Sequence, residues 1–195
     1  MLVPVLVVAQ DSTASAGRDA TVSIGLGYGN LSHGTSFPSV GAASLALRAA
    51  GGSGMFRLAF NLDVGAVTAE HDINFAQNNV TGTLTCNEKC AHVVTSLFLG
   101  AEVHPKLGGF YATSGVGFSF ENFIFSGDDE VLSLDGARGF SYLVGAGYDI
   151  RFGASRVITP FVHYIAAPKF DTAEPSRDGA AMNRLLFGLG FGVSK

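Results

Sequence analysis

The sequence predicts an all-β fold, an eight-stranded antiparallel up-and-down transmembrane β-barrel. Three observations lead to this prediction. Charged residues make up only 14% of the 195 residues, against about 25% in an ordinary soluble domain. No run of roughly 20 apolar residues occurs, so no helix of the sequence is suited to cross a bilayer. Large apolar and small residues alternate along several stretches, and a period of two indicates β-strands.

The C-terminal stretch "NRLLFGLGFGVSK" (183–195) shows this alternation most clearly. One face carries large apolar side chains and the other carries almost nothing: Leu185, Phe187, Leu189, Phe191 and Val193 against Gly188, Gly190, Gly192 and Ser194. The stretch "VSIGLGYG" (22–29) repeats the pattern. In "FRLAFNLDV" (56–64) the second face is small or polar, with Arg57, Ala59, Asn61 and Asp63.

Eight such stretches of about 11 to 15 residues are long for globular strands and suit tilted membrane strands. They cover residues 20–31, 40–50, 55–66, 92–104, 109–123, 137–151, 156–167 and 183–194. Short links at 51–54, 105–109 and 152–155 alternate with long links at 32–39, 67–91, 124–136 and 168–182. This alternation predicts an antiparallel meander with both chain termini at the short-turn end.

The composition of the second face decides which side of the sheet points inward. A soluble eight-stranded barrel, such as a lipocalin, would also alternate, but it would need Lys, Glu and Thr on its outer face. Here that face is mainly Gly, Ala and Ser, which suits the narrow interior of an eight-stranded barrel. The large apolar face is therefore predicted to meet lipid, and the few charges on the small face are expected to pair inside.

Four stretches, "GLGYG", "SGVGFSF", "LVGAGYDI" and "FGLGFGV", resemble the small outer-membrane barrels of Gram-negative bacteria, the OmpA/OmpX type. The resemblance covers residues 20–194. It implies the bacterial outer membrane, periplasmic N- and C-termini, contact with outer-membrane lipid and lipopolysaccharide, and insertion by the barrel assembly machinery. Since the chain has no Trp, an aromatic girdle would come from Tyr28, Phe123, Tyr142 and Tyr148.

The N-terminal residues 1–18 are expected to lie outside the barrel, which is assigned to 19–195. "MLVPVLVVA" is short and apolar and places Val7 and Ala9 where small residues precede a signal-peptidase site. It is interpreted as the remnant of a signal peptide or as a disordered apolar leader. Residues 10–18, "QDSTASAGR", are expected to be a flexible mature N-terminus.

Cys86 and Cys90 lie in "CNEKCAH", within the long link 67–91. Two cysteines this close in an exported protein most simply form a local disulfide. A metal site with His92 is the alternative, but the sequence shows no further ligands for it. No metal or cofactor is expected.

His163, in "FVHYIAAPKF", resembles a feature of the outer-membrane lipid A deacylases, whose last strands carry a His followed two residues later by a catalytic Ser. Here that position is Ile165, and without the nucleophile acyl transfer by this route is lost. No catalytic residue is assigned, and His163 is expected at the rim or in the polar interior. The acidic run Asp128, Asp129 and Glu130 is interpreted as a solvated loop tip, since it lacks the ligand order of a calcium loop.

An interior charge network is predicted near the short-turn end, formed by Arg48, Arg57, Glu102, Asp149 and Arg151. With the turn centred between Gly52 and Ser53, the two arginines Arg48 and Arg57 would stand directly opposite each other. Like charges in that position need a counter-ion. Glu102 is predicted to bridge them, with Asp149 pairing Arg151 or completing the network.

The predicted function is a structural or surface-interaction role through long extracellular loops, in a monomeric barrel closed to large solutes. Residues 67–91 and 124–136 are the expected contact surfaces for a protein partner. Two alternatives stay open: a lipid A-modifying enzyme and a barrel subunit of a larger envelope assembly. A net charge of -4 and the lack of basic stripes argue against nucleic-acid binding.

Overall fold

A computed structural model describes residues 19–33, 37–69, 73–77, 80–84, 90–105, 109–126, 131–170 and 180–195. Within these ranges the chain forms eleven strands: β1 (Asp19–His33), β2 (Phe37–Ser53), β3 (Phe56–Ala69), β4 (Ile73–Gln77), β5 (Val80–Leu84), β6 (Cys90–Val103), β7 (Phe110–Ser126), β8 (Val131–Tyr148), β9 (Ile150–Phe152), β10 (Arg156–Phe170) and β11 (Ala180–Ser194). No helix within the described ranges is long and apolar enough to cross a membrane.

The strands close into an eight-stranded antiparallel barrel, as predicted. Each strand pairs with the next in the order β11, β1, β2, β3, β6, β7, β8 and β10, and the pairing of β10 with β11 completes the ring. β9 continues β8 along the chain and, like β8, pairs with β10. β8 and β9 together therefore form a single wall element of the barrel. β4 and β5 form a separate two-stranded hairpin within the 67–91 link.

The break between β8 and β9 lies at Asp149, one residue after the position that faces a proline in β10. The register that joins Phe161 to Gly147 and Ile158 to Ile150 places Pro160 across from Tyr148. Because proline has no backbone N–H, it cannot donate to this ladder. The Asp149 side chain is instead held by the Thr159 hydroxyl, which donates a 2.8 Å hydrogen bond to Oδ1.

The two faces of the sheet are oriented as the alternation predicts. Large apolar side chains cover the outside, and Leu26 and Leu58 are each 72% exposed. The inward face is buried, and among the described side chains it carries three arginines and four carboxylates: Arg48, Arg57, Arg184, Asp63, Glu102, Glu121 and Asp149. An apolar outer surface around a polar, filled interior suits a lipid solvent rather than water.

The strands extend into all four of the predicted long links, and two of these links differ most from the prediction. The 67–91 link contains the β4–β5 hairpin, which no alternation in that part of the sequence indicated. Pairing of β7 with β8 extends to Ser126 and Val131, so nine of the thirteen residues of the predicted 124–136 link are strand. Residues 1–18, the proposed leader, lie outside the described residues.

The upper part of the barrel, at the long-link end, divides into two four-stranded lobes. The β2–β3 ladder stops at Ala43 and Ala66, and the β8–β10 ladder stops at Tyr142 and Ala166. The ladders β11–β1 and β6–β7 continue much further toward the long links. One lobe is therefore β10, β11, β1 and β2, and the other is β3, β6, β7 and β8. Pro168, with no N–H to donate, follows directly where β10 leaves β8.

Candidate functional site

The lumen near the short-turn end is filled by a cluster centred on Arg48, which we call the lower cluster. Its guanidinium donates from Nε to Glu102 Oε1 at 2.6 Å and from Nη2 to Glu102 Oε2 at 2.7 Å. Nη1 donates to Asp149 Oδ1 at 3.0 Å. Arg48 and Glu102 are 5% and 0% exposed, so this is a buried, bidentate charge-assisted pair with a second carboxylate beside it.

Two stacked rings, those of Tyr111 and His104, complete the lower cluster beside this ion pair. The Tyr111 ring lies under the guanidinium, with Arg48 Cζ 3.8 Å from the ring centroid. His104 stacks on Tyr111 with a centroid separation of 5.6 Å, and its Nε2 lies 3.0 Å from Glu102 Oε2. The carboxylates of Glu102 and Asp149 hold the guanidinium by hydrogen bonds at its edge, and the Tyr111 ring packs against its flat face. Arginine commonly combines these two kinds of contact.

The predicted opposition of Arg48 and Arg57 is wrong. Arg48 pairs with Asn61 in the β2–β3 ladder, and Arg57 pairs with Gly52, four residues further along β2. The reason is the turn: Gly54 adopts φ of 70°, which glycine tolerates, and the turn is centred two residues later than predicted. Glu102 lies opposite Arg57 in the β3–β6 ladder, and the Thr21 hydroxyl accepts a hydrogen bond from Arg57 Nη1 at 3.4 Å.

The structure brings Arg48, Glu102 and Asp149 together but not Arg151. Arg151 is exposed in the middle of β9, and the Asp149 carboxylate pairs with Arg48 instead.

A second charged group, the middle cluster, lies closer to the long links and consists of Asp63, Arg184 and Ser44. Arg184 Nη1 lies 2.6 Å from Asp63 Oδ1, and both side chains are buried. Arg184 also donates to the Ser44 hydroxyl. Because Arg184 belongs to β11 while Asp63 belongs to β3, its side chain crosses the lumen from one wall to another. This arginine was not among the residues that the sequence singled out.

Beside the middle cluster, three serine hydroxyls form a chain across neighbouring strands. Ser96 Oγ lies 2.7 Å from Ser119 Oγ, and Ser119 donates to Ser141 at 2.9 Å. Ser96 faces Asp63 in the β3–β6 ladder, so the polar belt continues from the middle cluster around the wall. All three serines are fully buried.

From the level of the middle cluster toward the long links the described lumen is largely apolar, which the sequence analysis did not predict. An upper core of eight side chains fills it: Leu31, Ala42, Val94, Phe98, Leu143, Ile165, Ala167 and Met182. A buried contact between His92 and Glu121 lies in the same upper part. Among the described residues, the lumen is therefore filled by the lower and middle clusters and by an apolar upper core that lies beside the His92–Glu121 contact.

The fold of this chain is similar to that of proteins whose structures have been solved. No family model matches the sequence, and no curated protein matches it. The attachment invasion locus protein Ail of Yersinia pestis, solved in complex with the heparin analogue sucrose octasulfate, matches with a TM-score of 0.58 at 11% identity, over 91% of this chain and 99% of Ail. Neisserial surface protein A matches with a TM-score of 0.52 at 13% identity, over 88% of this chain and 95% of that protein. The chain has the fold of the small outer-membrane β-barrels.

In this outer-membrane barrel fold, His163 points into the lumen and is buried rather than lying at the rim. Its ring packs against Phe161, with centroids 4.7 Å apart. Ile165, at the position where a deacylase would carry its serine, belongs to the upper core. The described part of the barrel holds no group of three or more His, Cys, Asp or Glu side chains placed to bind a metal.

Several predicted features of the barrel fall outside the described residues. These are Cys86 and the side chain of Cys90, the acidic run 128–130 and the side chain of Phe123. The disulfide between Cys86 and Cys90 stays a prediction.

The sequence carried a signal for Arg184 that the alternation could have revealed. Arg184 and Leu186 are out of phase with the lipid-facing residues Leu185 and Phe187, so both had to point inward. What the alternation could not show is which residue across the lumen each would meet. That depends on how far the strands are staggered around the ring.

Proposed function

We propose that this protein is a monomeric barrel of the bacterial outer membrane that acts as a closed scaffold for its long extracellular links. In this proposal the short turns and both termini face the periplasm. The links 67–91 and 124–136, with the β4–β5 hairpin in the first, carry a structural or surface-interaction role. Large solutes do not pass.

The observation that carries this proposal is the filled lumen. The lower cluster joins β2, β6 and β8/β9 through Arg48, and the middle cluster joins β11 to β2 and β3 through Arg184. Toward the long links, the apolar side chains of the upper core pack against one another. Eight strands enclose only enough space for side chains, and here the described side chains fill that space except for one cavity of about 10 Å³. A barrel closed in this way supports a role at its surface rather than a role in transport.

The outer surface supports the membrane position. Tyr28, Tyr142 and Tyr164 lie toward the long links, and the Tyr164 hydroxyl donates to Asn183 at 2.8 Å. Tyr148 and Phe110 lie toward the short turns. All five are exposed on the outside of the barrel, as expected for aromatic belts at the two lipid–water boundaries. Lipopolysaccharide and phospholipid would then contact the apolar surface between the belts.

Orientation and location are tested by epitope insertion in a Gram-negative host. One tag is placed in the 171–179 link and, as the matched control, one in the 153–155 turn. We expect the protein in the outer-membrane fraction, with the link tag bound by antibody on intact cells and the turn tag bound only after permeabilisation. The reverse pattern of labelling would overturn the proposed orientation.

Closure is tested with purified protein in planar bilayers and in sugar-loaded liposomes, with a general porin as the positive control. We expect no large stable conductance steps and no liposome swelling. Swelling at the rate given by the porin would show an open lumen. The protein should also fold only in detergent or lipid, and a monodisperse β-rich monomer without detergent would contradict the membrane assignment.

A further inference from the structure

A small cavity lies in the lumen between the lower and middle clusters. Its volume is about 10 Å³, close to the smallest space that holds one water molecule. Its lining includes Asn61 and Asp63 from β3 and His163 from β10, with Phe98, Leu143 and Phe161 as its main apolar surfaces. In the ring order β3 and β10 are four positions apart in either direction, so polar groups from opposite walls face this cavity.

Besides the carboxylate oxygens of Asp63, of which Oδ1 is ion-paired with Arg184, three polar atoms at this cavity have no hydrogen-bond partner within the described part of the chain. They are the amide oxygen and nitrogen of Asn61 and Nε2 of His163. The two residues are only 3% and 4% exposed. Buried polar groups in folded proteins are hydrogen-bonded to protein or to ordered water, because leaving them unpaired forfeits their hydration. The cavity therefore needs an occupant that both donates and accepts hydrogen bonds.

The charges around the cavity exclude an ion as that occupant. The Arg48 guanidinium forms part of the lining and opposes a cation, while the Asp63 carboxylate opposes an anion. Each of these charges is already paired, Arg48 with Glu102 and Asp63 with Arg184. The volume admits nothing larger than one small neutral molecule.

We propose that this cavity is a binding site for one long-lived water molecule, which links the Asn61 amide on β3 to the His163 imidazole on β10. Water offers two donors and two acceptors, and it matches an amide that can both donate and accept and an imidazole nitrogen that can do either. The water connects opposite walls of the barrel at a height between the two ion-paired clusters. It also explains why two hydrogen-bonding side chains are retained beside Phe98 and Phe161.

The site is tested by NMR on isotope-labelled wild-type protein in detergent micelles. We expect cross-peaks between water and the Asn61 side-chain amide protons, with the opposite signs in NOE and ROE spectra that mark a long-lived water. In His163→Phe the cross-peaks at Asn61 should weaken or vanish. A wild-type spectrum with no such cross-peaks, or with a direct Asn61–His163 contact in their place, would overturn the proposal.

A thermal-unfolding cycle gives an independent readout. Asn61→Leu and His163→Phe should each lower Tm, because each leaves the remaining partner and the water with one hydrogen bond fewer. The double variant makes the cavity apolar, so its loss of Tm should be clearly smaller than the sum of the two single losses. Asn30→Leu, at an exposed outward position, is the control and should change Tm little. Additive losses would show that Asn61 and His163 share no water.

Discussion

Arg48 and Glu102 form a bidentate ion pair across the lumen, at 2.6 and 2.7 Å, although the whole of β3 lies between their strands. Asp149 holds the same guanidinium from another wall of the barrel. Three separate parts of the wall are therefore tied to one cation. Because these groups are buried, removing one carboxylate leaves part of a buried positive charge uncompensated.

We expect Glu102→Gln to lower the free energy of unfolding clearly. Breaking a buried ion pair by removing one partner costs roughly 3 to 5 kcal/mol, and Asp149 should reduce the loss toward the lower figure. The measurement is thermal or urea unfolding in detergent, followed by the heat-dependent shift in gel mobility. Arg151→Gln, at an exposed residue of the same end, serves as the control. Equal and negligible effects of the two substitutions would show that the lower cluster does not stabilise the barrel.

Gly65 leaves room for the middle cluster, and we expect Gly65→Ala to destabilise the barrel. A Cβ at this position would overlap the guanidinium of Arg184, which is fixed by Asp63. Gly190→Ala is the matched control, since the nearest atom to its Cβ would be 3.5 Å away. Unfolding midpoints of the two variants should differ, with the loss confined to Gly65→Ala. A similar loss in both would attribute the effect to the strand backbone instead of to Arg184.

Hydrogen exchange should be faster along the two seams between the lobes than along the continuous ladders. Toward the long links, the described β8–β10 ladder ends at Tyr142. The β2–β3 ladder ends at Ala66 in the same direction. Past these two residues, the backbone N–H groups of β8 that face β10 and those of β3 that face β2 have no ladder partner on that side in the described structure. The β6–β7 ladder at the same height is intact. Amide exchange measured by NMR in micelles should show this contrast. Uniform protection around the upper barrel would contradict the two-lobed description.

Cys86 and Cys90 are expected to be joined in the mature protein. The closed loop is short, so the bond should stabilise the loop that carries it much more than the barrel. Intact mass before and after reduction, with thiol labelling, measures this directly. Complete labelling without a reductant would disprove the disulfide, and Cys86→Ser/Cys90→Ser should unfold at nearly the wild-type temperature.

The alternation of residue size decided most of the fold. In β11, Leu185, Phe187 and Leu189 alternate with Leu186, Gly188 and Gly190, and a period of two fixes both the strand and the face of each residue. Low charge and the absence of a long apolar run then left a heavily buried soluble fold or a membrane barrel, and the small residues of the second face favoured the membrane barrel. The pattern of short and long links gave the strand count and the end at which both termini lie. These properties are local, so a single sequence can report them.

Only the tertiary structure, the closed barrel with all of its strand registers, determined which inward-facing side chains contact one another across the lumen. The shift of the first turn to Gly54 moved Arg48 away from Arg57 and opposite Asn61, and no local pattern distinguishes a turn centred at 52–53 from one at 54–55. The pairing of Arg184 with Asp63 joins residues 121 positions apart, through the stagger with which β10, β11 and β1 close the barrel. The apolar upper core likewise arises because inward residues of many strands reach the same height. Alternation along one strand specifies a face, while the contacts across the lumen depend on the register of all eight wall elements at once.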